Sequence, residues 1–268
     1  MAAFPIHRFP WFFGSAVIAA ALCSPLRAQA PSYMAAGIVN ASDYSAGPFA
    51  PNSVLSLFGT NLAWTTEAVS AQTFASGTLP NQLAGVMVSV DGVGVPLLYV
   101  SPTQINFLVP SNQIAGDVGV TVVRQGECGP TVTITLADTA PALFLMDGGF
   151  AIAQDWNSNY TLMTGTAPAH AGDVVVLYST GLGHTTPPWP SGAVPQSAAY
   201  ITERQSLQVL LDGVAIDHSL ILYAGVTPGY CGLYQINFTL PKDAGTNPEI
   251  RLQIGTSISA ASIKLAVE

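Results

Sequence analysis

A chain of 268 residues has room for two domains of ordinary size, and a hydrophobic share of 49% supplies real cores, which excludes global disorder. Charged residues are only 8% and the formal net charge is −8, so solubility rests on Ser, Thr, Asn, Gln and exposed backbone, a surface suited to a protein outside the cytoplasm. The seven cations are too few to form a phosphate-tracking stripe, and two of them, Arg8 and Arg27, precede the expected mature chain; nucleic acid is excluded as a partner.

Residues 1–30 read as a signal peptide. His7 and Arg8 make a weak basic start, and Trp11 to Cys23 is an apolar run of thirteen, too short to span a bilayer. Ala28-Gln29-Ala30 offers small residues for cleavage after Ala28 or Ala30, with Pro31 disfavouring the second bond. Leu22 before Cys23 argues against a lipoprotein, and no later segment reaches membrane-spanning length. The mature protein is therefore expected to be secreted or held at the cell surface, without a stable membrane span.

Beyond the leader the chain reads as short strands cut by Gly, Pro and Asp. Gly37–Asn40 opens the series and Val54–Phe58 is the first core strand. Residues 63–83 lack any period and read as a surface loop. Strands follow at Val86–Val90, Pro96–Val100, Gln104–Val109, Gly119–Arg124 and Thr131–Leu136. After a join near Ala140-Pro141-Ala142 come Phe150–Gln154, Tyr160–Met163 and Val174–Ser179, then a Pro-rich loop from Gly181 to Gly192. Strands resume at Leu207–Leu211, His218–Tyr223, Tyr234–Leu240, Ile250–Ile254 and Ala260–Val267. No helical period survives a full window. Strands of this length at this spacing predict an all-β fold, a sandwich or barrel.

The series is written twice. Gln104-Ile105-Asn106-Phe107-Leu108-Val109-Pro110 returns as Gln235-Ile236-Asn237-Phe238-Thr239-Leu240-Pro241. In both copies Ile and Phe alternate with amides at period two, which is how a strand buries one face. An Asp-Gly turn, Asp91-Gly92 or Asp212-Gly213, and a strand carrying Tyr99 or Tyr223 precede each copy. The expected division is 31–140 for the first repeat and 141–268 for the second.

These paired segments, with Val54-Leu55-Ser56-Leu57-Phe58-Gly59-Thr60-Asn61-Leu62 ahead of the first, resemble the Solibacter-type C-terminal module over residues 36–268. That module is related to IPT/TIG immunoglobulin-like domains and ends many large secreted or surface proteins of acidobacteria. The resemblance implies two tandem Ig-like β-sandwiches in an extracytoplasmic location. It brings no catalytic residues with it.

Catalytic and metal signatures are absent from the sequence: no Gly-x-Ser-x-Gly, no His-Glu-x-x-His and no phosphate loop. Asp155-Trp156-Asn157-Ser158-Asn159 opens like a calcium loop, but Tyr160 and Thr166 stand where Gly and Glu belong. Asp212 and Asp217 are five apart; a glycosidase pair would need a cleft, which nothing nearby suggests, and turn chemistry accounts for Asp212. The matched amides Gln104, Asn106, Gln235 and Asn237 are expected to tie down adjacent loop backbone. Cys128 and Cys231 could form one disulfide in an oxidising compartment, or stay free if a domain length separates them.

Loop aromatics remain as recognition elements. The candidates for binding are Trp189 and His184 on the Pro-rich loop, and Trp156 and Tyr160 in the turn of the second repeat. Trp189 could equally plug the end of its own sandwich. The expected function is a non-catalytic interaction or accessory module for an extracellular protein or polysaccharide, without a cofactor. A carbohydrate-binding or glycan-acting protein using the Trp189 loop is the alternative.

Overall fold

The computed structural model describes residues 29–268, so nearly all of the expected leader lies outside the described residues. The remainder is built of short strands, and every pairing between named strands is antiparallel.

In the first repeat one sheet runs, edge to edge, Ser32–Asn40, Val54–Thr60, Gln104–Leu108, Leu97–Val100 and Glu67–Ala68. The facing sheet runs Val132–Leu136, Gly116–Arg124, Val86–Val90 and Val93–Gly94. Period-two alternation sends Leu55, Leu57, Ile105 and Phe107 inward from the first sheet. Val86, Val88, Val90, Val118, Val120 and Val122 meet them from the second, giving a two-layer core. β-Branched valine suits this pleated, half-buried surface.

The second repeat follows the same plan. Its larger sheet orders Thr161–Leu162, Ala153–Asp155, Val174–Thr180, Tyr234–Thr239, Ile221–Val226, Tyr200–Ile201 and Thr185–Thr186. Leu207–Leu211 and Ile250–Ile254 anchor the facing sheet, and Val175, Leu177, Ile236, Phe238, Val209 and Leu252 fill the space between. Ile105, Phe107, Ile236 and Phe238 are all fully buried, on the face their alternation assigns.

Register shows the repetition directly. Val54 to Phe58 lie opposite Leu108 to Gln104, and Val174 to Tyr178 lie opposite Thr239 to Gln235. Both copies carry the same bulge, between Leu97 and Tyr99 and between Ile221 and Tyr223, which sets Tyr99 opposite Asn106 and Tyr223 opposite Asn237. Asp91 and Asp212 share a left-handed φ of 48°, and each carboxylate accepts from the backbone N–H across the sheet, Gly119 or Glu249. The Asp side chain caps a tight turn that only a short polar residue tolerates well.

Several expected elements differ. Residues 63–83 hold a strand at Glu67–Ala68 and a helix at Ala71–Ala75, capped where the Ser70 hydroxyl accepts from the Thr73 N–H. Five helical residues are less than two turns, too few to leave a period in sequence. His218 sits in a 3-10 turn, His218–Leu220, because Asp217 caps it through the Ser219 N–H; the strand starts at Ile221. Residues 260–267 form no named strand and instead make isolated bridges from Lys264 and Val267 to Phe150, Glu249 and Ala169. No helix among the described residues is long and apolar enough to cross a membrane.

Candidate binding face

An enzyme would need some of its titratable groups free and convergent. Among the described residues no group of three or more His, Cys, Asp or Glu could hold a metal ion. His170 lies 3.6 Å from Asp173 within its own turn, and His218 lies 3.2 Å from the Arg204 carbonyl. The Asp155 carboxylate accepts from the Asn157 N–H at 2.9 Å, and Asn157 in turn accepts from Val174, so this is an Asx-stabilised turn. Asp212 and Asp217, with Asp243, do line a cleft, of about 430 Å³, contrary to the absence of one expected for that pair. The Ser219 backbone N–H, with help from its side chain, lowers the Asp217 pKa, the opposite of what a general acid requires.

The cysteines are separate. Both are free thiols: Cys128 is exposed on the Glu127–Cys128 strand, and Cys231 is buried against the Ala193 carbonyl at 3.3 Å. The open alternative of a bridge is thereby set aside, since one thiol lies at a sheet rim and the other in the seam between repeats. Burial pushes the Cys231 thiol up to about 12.

That seam claims the Pro-rich loop. The Trp189 indole is half-buried, packs against the core of the second repeat and donates to the Ala193 carbonyl at 2.8 Å. From there the chain pairs with the first repeat. The Leu79 N–H donates to Gly192 at 2.8 Å, the Val194 N–H to Gly77 at 2.9 Å, and the Ser111 N–H to the Ser191 hydroxyl at 2.6 Å. Val54, Leu79 and Leu108 of the first repeat close over Val194 and Cys231 of the second. Gly232 sits so near that a Cβ would come 2.4 Å from Val54 and 2.8 Å from Leu108, which is why the position is glycine. His184, at the other end of the loop, is exposed on the rim of a different cleft, of about 560 Å³, with Asp138, Thr139 and Glu203.

Trp156 and Tyr160 are brought together, with ring centroids 5.0 Å apart. Asn159 and Tyr160 both hold left-handed backbone, at φ of 56° and 59°, and so turn the Tyr160 ring back across Trp156. Both rings remain about half exposed, at 50% and 46%. They border the outer face of the larger sheet. There the Tyr178 hydroxyl donates to the Gln154 amide oxygen at 2.6 Å, and the Gln235 NH2 donates to Asn237 at 3.2 Å. Burial raises the Tyr178 pKa, and the Tyr230 and Tyr160 phenols raise it further. Tyr230, 55% exposed, continues the row to Phe74 of the first repeat, 6.2 Å away between centroids.

The amides therefore brace each other along the strand rather than fixing loop backbone. In the first repeat Gln104 donates to Asn106 at 2.9 Å, and Ser56 donates to the same oxygen at 3.0 Å. Residues two apart on a strand share a face, so this self-pairing follows from period two. Tyr178, Gln154 and Tyr230 were not among the sequence candidates. Tyr178 was detectable as the partner of Phe58 in the repeat, but Tyr230 reaches the row only through the fold. Trp64 serves the first repeat structurally: the buried Arg124 guanidinium lies 3.8 Å over its ring.

No family model matches the chain, and no curated protein matches it. Solved structures with some similarity include a surface glycan-binding protein from Prevotella bryantii, at 13% identity and a TM-score of 0.27, over 88% of this chain and 42% of that one. Another is the mixed-linkage glucan utilization locus protein SGBP-B from Bacteroides ovatus in complex with a mixed-linkage heptasaccharide, at 10% identity and a TM-score of 0.33, over 82% and 43%. Domains 5–6 of the S-layer protein SbsC match at 10% identity and a TM-score of 0.26, over 85% and 96%. The chain spans less than half the length of the two glycan-related proteins, and similarities of this size carry no argument about its ligand.

Proposed function

We propose that this chain is a non-catalytic binding module of the cell exterior, made of two Ig-like β-sandwich domains clasped at one seam, which contacts its ligand through the outer face of the second domain. The observation behind this reading is the row Trp156, Tyr160, Tyr178 and Tyr230: the exposed Trp156, Tyr160 and Tyr230 rings sit on turns and loops beside the sheet, the half-buried Tyr178 ring lies on its strand, and the polar side chains between them are braced. The non-catalytic part rests on the local engagement of Asp155, Asp212, Asp217 and His170, each tied into its own turn. The exterior location rests on the leader and the low charge. Trp189 is assigned to the seam, because its N–H and ring are already satisfied by its own domain.

The reading is tested by presenting the mature protein to cell-envelope protein fractions and to immobilised polysaccharides, alongside Tyr178→Ala and Trp156→Ala. Loss of the wild-type partner in both variants, with unchanged melting, supports the face. Full retention by both variants refutes it.

A further inference from the structure

We propose that the ligand of this face is an uncharged polysaccharide chain laid along Trp156, Tyr160, Tyr178 and Tyr230; this rests on the binding-face reading above. The first argument is the mixture of groups. Sugar rings present C–H faces that stack on aromatic rings and hydroxyls that both donate and accept, so a saccharide site alternates ring faces with neutral polar groups. This row does so. Gln154 accepts from Tyr178, and Asn237 accepts from Gln235, which orients both amides and leaves the NH2 groups of Gln154 and Asn237 without a protein acceptor among the described residues. Gln154 and Gln235 are half-buried and can meet a hydroxyl from outside, while the buried Asn237 orients Gln235.

Charge supplies the second argument. None of the seven side chains concerned, those four aromatics with Gln154, Gln235 and Asn237, carries a charge. Arg204, the cation stacked on Tyr200 at 4.8 Å, lies toward the opposite edge strand of the sheet. An anionic polymer would find no counter-charge on the row and would meet a chain of net charge −8. A neutral one meets no such barrier.

Extent supplies the third. Trp156 lies beside Val174 and Tyr178 is four residues further along the same strand, a span of about 13 Å at roughly 3.3 Å per residue. Tyr230 and Phe74 carry the row on across the seam, so the occupant is an extended chain rather than a single sugar. A protein partner is the rival occupant, and it would be expected to seek contiguous apolar surface rather than separated rings with open amides between them.

Affinity gel electrophoresis tests this with a panel of soluble neutral polysaccharides (glucans, mannans, xylans and galactans) and anionic ones (pectate, alginate and hyaluronan), at low and high salt. The expected result is retardation by at least one neutral polymer, insensitive to salt. Trp156→Ala and Tyr178→Ala should each weaken it at least ~10-fold, the ratio that about 1.4 kcal/mol of lost contact produces. Tyr178→Phe, which keeps the ring and frees Gln154, should weaken it less than Tyr178→Ala, and Tyr44→Ala on the first repeat should not change it. Retardation by anionic polymers alone, or by none, overturns the proposal, as does full binding by Trp156→Ala and Tyr178→Ala. If no polysaccharide is bound but those variants lose an envelope protein, the saccharide is wrong and the face stands. If they lose nothing, both readings fail.

Discussion

The clasp between the repeats can be broken with one methyl group. Gly232 has φ of +72°, and a Cβ there would lie 2.4 Å from the Val54 methyl and 2.8 Å from the Leu108 methyl. Gly229, three residues earlier in the same segment, has φ of +89° and nothing within 4 Å of the place its Cβ would take. An L-residue in left-handed backbone costs about 1–2 kcal/mol at either site. Gly232→Ala adds the overpacking of a tight seam, about 1–3 kcal/mol, because Val54 and Leu108 are themselves buried and must shift. The expected losses are therefore about 1–2 kcal/mol for Gly229→Ala and about 2–5 kcal/mol for Gly232→Ala. Urea denaturation with linear extrapolation measures both. The difference between the variants isolates the seam, since the backbone term is common to the two. Equal losses would refute the described packing of Gly232 against the first repeat.

Other expectations follow from single residues. Phe107→Ala and Phe238→Ala, both fully buried, should each cost about 3–5 kcal/mol in the same assay; near-wild-type stability of either would place the core elsewhere. Exposed Cys128 should react with a thiol reagent near neutral pH while Cys231 does not, and a mass-mapped adduct on native Cys231 would contradict its burial. Raising the Cys231 pKa from 9.0 to about 12 leaves its contribution to stability whole below pH 9 and removes it as pH climbs toward 12, because only the unfolded thiol ionises in that window. A Cys231→Ala variant should flatten that part of the stability–pH curve. Mass spectrometry of exported protein should find an N-terminus at Gln29 or Pro31, and an intact Met1 would contradict the secretory reading.

What sequence could reveal was whatever a period or a copy records. Period two assigned Ile105, Phe107, Ile236 and Phe238 to the interior, and the Asp-Gly pairs marked the same tight turn in both repeats. Val86–Val90, Leu207–Leu211 and Ile250–Ile254 have the bounds their alternation implies. Elements too short for a period were silent: Glu67–Ala68 and Tyr200–Ile201 exist through their strand partners, and Ala71–Ala75, with no buried residue, through its local Ser70 cap. The role of the Pro-rich loop was likewise hidden, since an exposed aromatic and a half-buried one look alike in sequence until a carbonyl such as that of Ala193 is found beside the indole. Tyr230 joined the row only when its loop folded against the first repeat, next to Phe74.

Hydroxyl-radical footprinting by mass spectrometry, with and without the polysaccharide that retards the protein, tests the outer face most directly. Ligand should protect Trp156, Tyr160 and Tyr230 from oxidation and leave exposed Tyr44 and Trp64 on the first repeat unchanged. Protection at Tyr44 or Trp64 with none at Trp156 and Tyr160 would put the contact surface on another face and contradict the account.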